Sequence, residues 1–108
     1  IALRAGAFTA VNGNNNNINI GGTSFIRITG PTAAFTITGI SGGVNGKVVI
    51  LYNAATYNMT IANENTNSTA TNRITTLTGS GVVTTGVGAI TLIYDSTASR
   101  WIVTSVRQ

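Results

Sequence analysis

The chain has 108 residues, 43% of them hydrophobic and only 7% charged, and its formal net charge of +4 comes from six Lys and Arg against two acidic residues. With no Cys, no His and just the carboxylates Glu64 and Asp95, the composition excludes Ser-His and Cys-His nucleophile systems and sites that bind metal through thiolate or imidazole. We therefore predict a protein that is not an enzyme and that has no cofactor and no metal. A glycoside hydrolase built on two carboxylates remains the open enzymatic alternative.

The size is that of a single all-β domain, 1–108. So few charges leave Thr, Asn, Ser and Gly to cover the surface, which is typical of a component of a larger assembly. Because the sequence starts at Ile1 rather than Met, we expect it to be part of a longer chain. No run approaches the roughly 18 consecutive apolar residues of a membrane span, so we predict no membrane insertion.

The first third, 1–40, contains a loose repeat of a small residue, Phe, a β-branched stretch and Gly. Its units are Ala7–Gly13, Ser24–Gly30 and Ala34–Gly39. Because the Phe residues are unevenly spaced, the repeat favours a meander of consecutive strands over a solenoid. Within it, Asn12–Asn17 is predicted to be a turn, with Asn14–Asn17 a flexible loop.

The second part, 41–108, opens with Gly42–Lys47, which imitates a phosphate-binding loop. Ser41 stands where such a loop needs Gly, and Val48 stands where it needs Ser or Thr. The segment also precedes a strand rather than a helix, so we interpret it as a tight turn with Asn45-Gly46 at its corner.

Three predicted strands are apolar on both faces: Lys47–Tyr52, Ala89–Tyr94 and Trp101–Val106. One face of each strand fits the core of the domain. A domain of this size has difficulty covering the other faces, which a homotrimer would bury. The alternative is a monomeric sandwich whose sheets curl around these strands. We predict a short-stranded antiparallel sandwich, jelly-roll-like, assembled as a homotrimer.

The polar run Asn63–Asn72 lies between the strand at Met59–Ala62 and Arg73-Ile74. Amides and hydroxyls in a loop can match the hydroxyls of a sugar, and a nearby Tyr ring can stack on it. The alternative is a solvated loop without a ligand, and Trp101 is expected to pack in the core. The candidate ligand-binding residues are Tyr57, Asn63, Asn65, Asn67 and Arg73.

Tyr94-Asp95 and Arg100-Trp101 flank a short polar stretch and predict a hairpin, with an ion pair between Asp95 and Arg100 at its neck. The six cations are scattered singly along the chain rather than clustered, so we predict no binding of nucleic acid. A diffuse positive field still favours approach to anionic polymers of a cell surface.

Several short motifs follow one another between Gly39 and Val106: Gly42-Gly43 to Gly46, Asn53, Thr60-Ile61, Asn63-Glu64, Asn72-Arg73-Ile74, Tyr94-Asp95 and Arg100-Trp101. In this order they resemble a module found at the C-terminal ends of bacteriophage tail fibres, head fibres and virion spikes. The resemblance implies a β-structured, usually trimeric domain on the outer, extracellular surface of a virion, next to other virion proteins. In many such proteins the domain contacts the host.

These observations together predict a trimeric fibre or spike domain that binds a bacterial surface polysaccharide without covalent chemistry. Three weak sites acting together would give the affinity through avidity. The main rival is a purely structural fibre or capsid component. A bacterial surface adhesin is a third interpretation.

Overall fold

The computed structural model describes all residues from Ile1 to Gln108 and is all-β, with one turn of 3-10 helix at Ala70–Asn72. No helix in it has the length and apolar character needed to cross a membrane. The strands are β1 (Ala5–Thr9), β2 (Gly13–Asn15), β3 (Phe25–Thr29), β4 (Phe35–Ile37), β5 (Val48–Asn53), β6 (Met59–Ile61), β7 (Ile74–Thr75), β8 (Val82–Thr84), β9 (Gly88–Asp95) and β10 (Arg100–Arg107).

The first six strands form three stacked coils that alternate between two sheets. Strands β1, β3 and β5 pair in parallel in a six-stranded sheet ordered β1-β3-β5-β9-β10-β7, and β2, β4 and β6 pair in parallel in a four-stranded sheet ordered β2-β4-β6-β8. The predicted antiparallel sandwich and the predicted N-terminal meander are therefore wrong, and the first half is solenoid-like. The coils differ in length, and the residues in register are of different types: Phe8 lies beside Ile28, which lies beside Asn53. The structural repeat therefore does not appear in the sequence as evenly spaced Phe residues.

The second half closes the two sheets with mostly antiparallel pairs. Strand β9 pairs antiparallel with β5, β10 pairs antiparallel with β9, and β8 pairs antiparallel with β6. The predicted hairpin is confirmed, because Arg100 lies opposite Asp95 and Trp101 lies opposite Tyr94. The predicted turn before β5 is confirmed as well, with Lys47 N donating to Val44 O at 2.9 Å and Gly46 at a φ of 83°.

One continuous hydrophobic core fills the space between the sheets, and both 1–40 and 41–108 contribute to it. Trp101 is fully buried, its Nε1 donates to Ile40 O at 2.8 Å, and its ring meets that of Tyr94 edge-on with centroids 5.1 Å apart. Its predicted packing role is confirmed. Each large aliphatic side chain buried here contributes about 1.5–3 kcal/mol to folding.

The asparagine run, Asn14–Asn17, is structured rather than a flexible loop. Gly13–Asn15 is β2, and Asn15 is buried. Its Oδ1 accepts from Val11 N at 2.9 Å, and its Nδ2 donates to the carbonyl oxygens of Val11, Gly13 and Thr36 at 3.0–3.2 Å. The prediction of a flexible loop was therefore wrong. The Asn15 amide bonds four backbone groups at once, and these bonds hold the segment in one conformation.

Candidate functional site

The outer face of the six-stranded sheet carries an apolar band, formed by Phe25, Val48, Ile50, Ile93 and Ile102. Val48, Ile93 and Ile102 lie side by side across β5, β9 and β10, and Phe25 lies beside Ile50 across β3 and β5. The alternate residues Val49, Leu51 and Leu92 are fully buried in the core. The predicted two-sided character of these strands is therefore confirmed: one set of side chains fills the core and the other lies on the outer face.

The outer face of the four-stranded sheet has a different character. Its middle row consists of Asn14, Thr36, Thr60 and Val83, which pair across β2, β4, β6 and β8. Three of these four side chains are polar, as expected for a sheet face in contact with water. The apolar band is thus a property of one face of the molecule and not of its outer surface in general.

Beside the band lies a second row of outward-facing residues, which we call the arginine row: Ala7, Arg27, Tyr52, Ala89 and Arg107. The guanidinium carbon of Arg27 lies over the Tyr52 ring, 5.5 Å from its centroid. The rings of Phe25 and Tyr52 are stacked with centroids 6.2 Å apart and planes inclined by 17°. The row therefore combines two cations and an aromatic side chain on a floor made partly of alanine.

The two carboxylates lie at the other end of this face, around Arg100. Arg100 Nε bonds both carboxylate oxygens of Glu64, at 2.8 and 3.0 Å, and the Thr75 hydroxyl donates to Glu64 Oε2 at 2.5 Å. The predicted ion pair between Asp95 and Arg100 does not form. Asp95 instead accepts from Thr97 N within the hairpin turn, at 3.0 Å.

The pKa of Glu64 is held below its ordinary value. The main cause is the hydrogen bond from Thr75, and Arg100 and then Arg73 lower the pKa further, while partial desolvation opposes them. A glycoside hydrolase needs one carboxyl group with a raised pKa as its general acid. Glu64 is shifted in the opposite direction, so its environment does not suit that role.

The predicted ligand-binding residues fall into two separate places. Asn63, Asn65, Asn67 and Arg73 share the loop after β6, whereas Tyr57 lies in the turn before β6, at the opposite end of that strand. The expected pairing of this Tyr with the amides of the loop is therefore not seen.

Most of the polar groups in the loop are engaged within the chain. Asn63 Oδ1 accepts from Thr76 N at 3.0 Å, Asn65 Oδ1 accepts from Asn67 N at 2.9 Å, and Arg73 Nε donates to Ser68 O at 3.0 Å. Asn67 and Tyr57 are exposed. These two side chains are thus the most accessible of the five candidates.

A network that the sequence did not reveal ties this loop to the asparagine run. Asn17 Oδ1 accepts from Thr69 N at 2.8 Å and from Asn72 Nδ2 at 2.9 Å, and the buried Ser68 hydroxyl lies 2.8 Å from that of Thr38. The partners are more than 25 positions apart in sequence, as the 30-residue separation of Thr38 and Ser68 shows. A regular repeat in the sequence would have indicated which of these distant residues meet, but the sequence has no regular repeat.

Neither a scan against protein-family models nor a search of curated proteins gives a match to the chain. The structure contains no group of three or more side chains that could hold a metal ion. The outer face of the six-stranded sheet is the most distinctive surface available.

Proposed function

We propose that the chain is a self-associating module of a virion appendage, such as a tail fibre or head fibre, assembled as a homotrimer on the outer surface of the particle. The apolar band is the observation that supports assembly. The order of short motifs that resembles phage fibre modules is what points to a virion.

The physical case for assembly is the contrast between the two outer faces. Phe25 and Val48 are each 37% exposed at the edge of the band, while the opposite sheet presents Asn and Thr. Apolar surface removed from water contributes about 25 cal/mol per Å², so covering this apolar face with another copy of the chain is favourable. A rotationally symmetric trimer covers the same face of every subunit.

The assembly is tested by measuring the mass of the purified chain in solution. We expect size-exclusion chromatography with light scattering to give three times the 11.1 kDa of one chain. Replacing Ile93 and Ile102 together by Thr keeps the β-branched shape but makes the band polar, and it should shift the mass towards that of one chain. A wild-type protein that stays monomeric and folded at micromolar concentration would disprove the assembly.

Val83 provides the matched control. It is 38% exposed, close to the exposure of Val48, but it lies on the outer face of the other sheet. The Val83→Thr variant should therefore keep the mass of the wild type. If it dissociates as fully as the band variant does, the contact does not lie where we propose.

A second candidate function is adhesion to a bacterial surface polysaccharide through Asn67 in the loop after β6 and Tyr57 in the turn before it. The exposed side chains of Asn67 and Tyr57 favour it, since an amide and an aromatic ring are both suited to sugars. Because these two lie at opposite ends of β6, they would act as separate weak contacts that a trimer repeats three times.

Adsorption of the protein to host cells tests this second function. We expect Asn67→Ala and Tyr57→Ala each to reduce adsorption while leaving the thermal unfolding temperature unchanged, because both side chains are exposed. Undiminished adsorption of the double variant would disprove adhesion through these two side chains.

A further inference from the structure

The cations of the arginine row form no salt bridge within the chain. The one salt bridge of the molecule joins Arg100 to Glu64, and Asp95 lies opposite Arg100 in the β9–β10 hairpin. Both acidic side chains are therefore at the far end of the outer face. Arg27 and Arg107 have no carboxylate partner, and the row is a site of uncompensated positive charge.

The geometry of the row suits an extended ligand that crosses the strands. Arg27 is on β3 and Arg107 is on β10, with Tyr52 and Ala89 between them in direct register. Neighbouring strands lie about 4.8 Å apart, so the two guanidinium-bearing residues are separated by about 14 Å along the row. The small side chain of Ala89 lies next to Tyr52 in the row, and that of Ala7 lies next to Arg27 at the end of the row.

Arg27 is pre-positioned for an anion. Its guanidinium lies over the Tyr52 ring, which restrains the side chain while leaving the N–H groups at its edge free to donate. Planar guanidinium groups bind carboxylate through two parallel hydrogen bonds, and less entropy is lost when the side chain is already held. Tyr52 adds a phenolic hydroxyl of the kind that bonds sugar hydroxyls.

We propose that the arginine row binds a carboxylated polysaccharide that lies across β3, β5, β9 and β10. This site is separate from the loop after β6, and it depends neither on that loop nor on the trimer. It lies beside the apolar band, at the rim of the proposed subunit contact.

Single-stranded nucleic acid fits the row less well. Proteins that bind it use many phosphate contacts and bare aromatic faces on which bases stack. The arginine row has two cations, and a guanidinium already lies over the Tyr52 ring. A polysaccharide with regularly placed carboxylates would bond only the N–H groups at the edges of the guanidinium groups. The arginine row provides these donors.

Binding of polygalacturonate, with neutral dextran and oligothymidylate as comparison ligands, tests the proposal. We expect the wild type to bind polygalacturonate in low salt and to lose affinity as salt is added. The Arg27→Gln/Arg107→Gln variant should bind at least about tenfold more weakly, because each charge-assisted contact is strong. Tyr52→Leu keeps both charges but removes the ring under Arg27, and a loss of about threefold is expected.

The matched control is Arg4→Gln/Lys47→Gln, which lowers the net charge by the same amount. Arg4 precedes β1 and Lys47 contacts Gly21 O, and neither belongs to the row. This control should stay within about twofold of the wild type, because unpaired surface charges distant from the site contribute little.

Four outcomes would overturn the proposal. They are an equal loss in the control, equal binding of dextran, tighter binding of oligothymidylate than of polygalacturonate, and absence of polygalacturonate binding. A change of mass in the Arg27→Gln/Arg107→Gln variant would assign the row to the subunit contact instead. Dissociation of the wild type into folded monomers that still bind polygalacturonate would disprove the trimer and leave this site standing.

Discussion

Asn15 and Asn53 show how this chain satisfies buried backbone groups with almost no charge. Asn53 is fully buried, and its Nδ2 donates to Tyr57 O at 2.8 Å and to Gly86 O at 3.0 Å, while its Oδ1 accepts from Ala55 N at 3.0 Å. Every buried side-chain nitrogen and oxygen has a partner. The side-chain amides therefore supply hydrogen-bond partners to the backbone between the coils. There the main chain passes from one sheet to the other and lacks strand partners.

Replacing Asn15 by Ala should destabilise the fold. The change removes four hydrogen bonds to partly buried backbone groups, and each such bond contributes about 0.5–1.5 kcal/mol to stability. Urea unfolding measures the difference. Asn14→Ala is the control, because Asn14 is the exposed neighbour in the same strand. Equal effects of the two changes would mean that the buried amide is not what stabilises β2.

Glu64 should make a small contribution to stability that depends on pH. Its pKa is lowered in the folded chain from a reference value of 4.5, so its contribution is complete above that pH and is lost as the pH falls through the folded pKa. Because the carboxylate is 39% exposed, Glu64→Gln should lower the unfolding free energy at pH 7 by less than about 1 kcal/mol. Thermal unfolding between pH 7 and pH 3 should show the difference from wild type shrinking; a growing difference would contradict the sign of the shift.

At the level of elements, close contact between the β4–β5 connection and the loop after β6 joins the two halves of the chain. Gly39 forms a bridge with Arg73, and Ile40 N donates to Asn72 O at 2.9 Å. A Cβ on Gly39 would lie 2.7 Å from Asn72 O and closer still to the Ser68 side chain. Glycine is required here by the close approach of the two segments.

The Gly39→Ala variant should therefore push the loop after β6 outward. Inserting a methyl group into a packed site costs about 1–3 kcal/mol, and we expect a lower unfolding temperature together with faster proteolysis within 62–73. Gly22→Ala is the control, because the nearest atom to a Cβ there is Arg4 Nη1 at 3.9 Å. An unchanged proteolysis pattern in the Gly39 variant would show that the loop does not depend on this contact.

Strands made of uninterrupted apolar runs could be predicted from the sequence, and the connections between them could not. Because successive residues of a strand point to opposite faces, the runs in β5, β9 and β10 predict two apolar faces, but they do not tell which face lies in the core. Whether β1 is followed by its neighbour in the same sheet or by β2 in the other sheet depends on distant pairing. The meander and the antiparallel sandwich failed for that reason.

The candidate site failed in a similar way. Tyr57 and Asn63 are close in sequence, but the extended strand β6 separates them. Conversely, Arg27 and Tyr52 are far apart in sequence and meet only because β3 and β5 pair in parallel. Positions in register across a sheet cannot be identified before the strand order is known.

For the whole molecule, the stack of coils ends at an open edge. Arg4 O and Ala10 N both bond β3, and parallel pairing engages alternate residues, so the N–H groups of Ala5, Ala7 and Thr9 face outward from β1. This strand is five residues long and contains no charged residue, Pro or bulge that would discourage pairing with another chain. This edge is therefore an alternative to the apolar band as the contact between subunits of the proposed assembly.

Amide hydrogen exchange distinguishes the two modes of association. If subunits meet through the band, the amides of Ala5, Ala7 and Thr9 should exchange quickly in the assembled protein, while those of β5, which is paired on both sides with β3 and β9, should exchange slowly. The Ile93→Thr/Ile102→Thr variant should leave the fast exchange of β1 unchanged. Slow exchange at Ala7 that becomes fast on dilution to the monomer would instead show that β1 pairs with another chain, because only a hydrogen-bonding partner at the edge protects that amide.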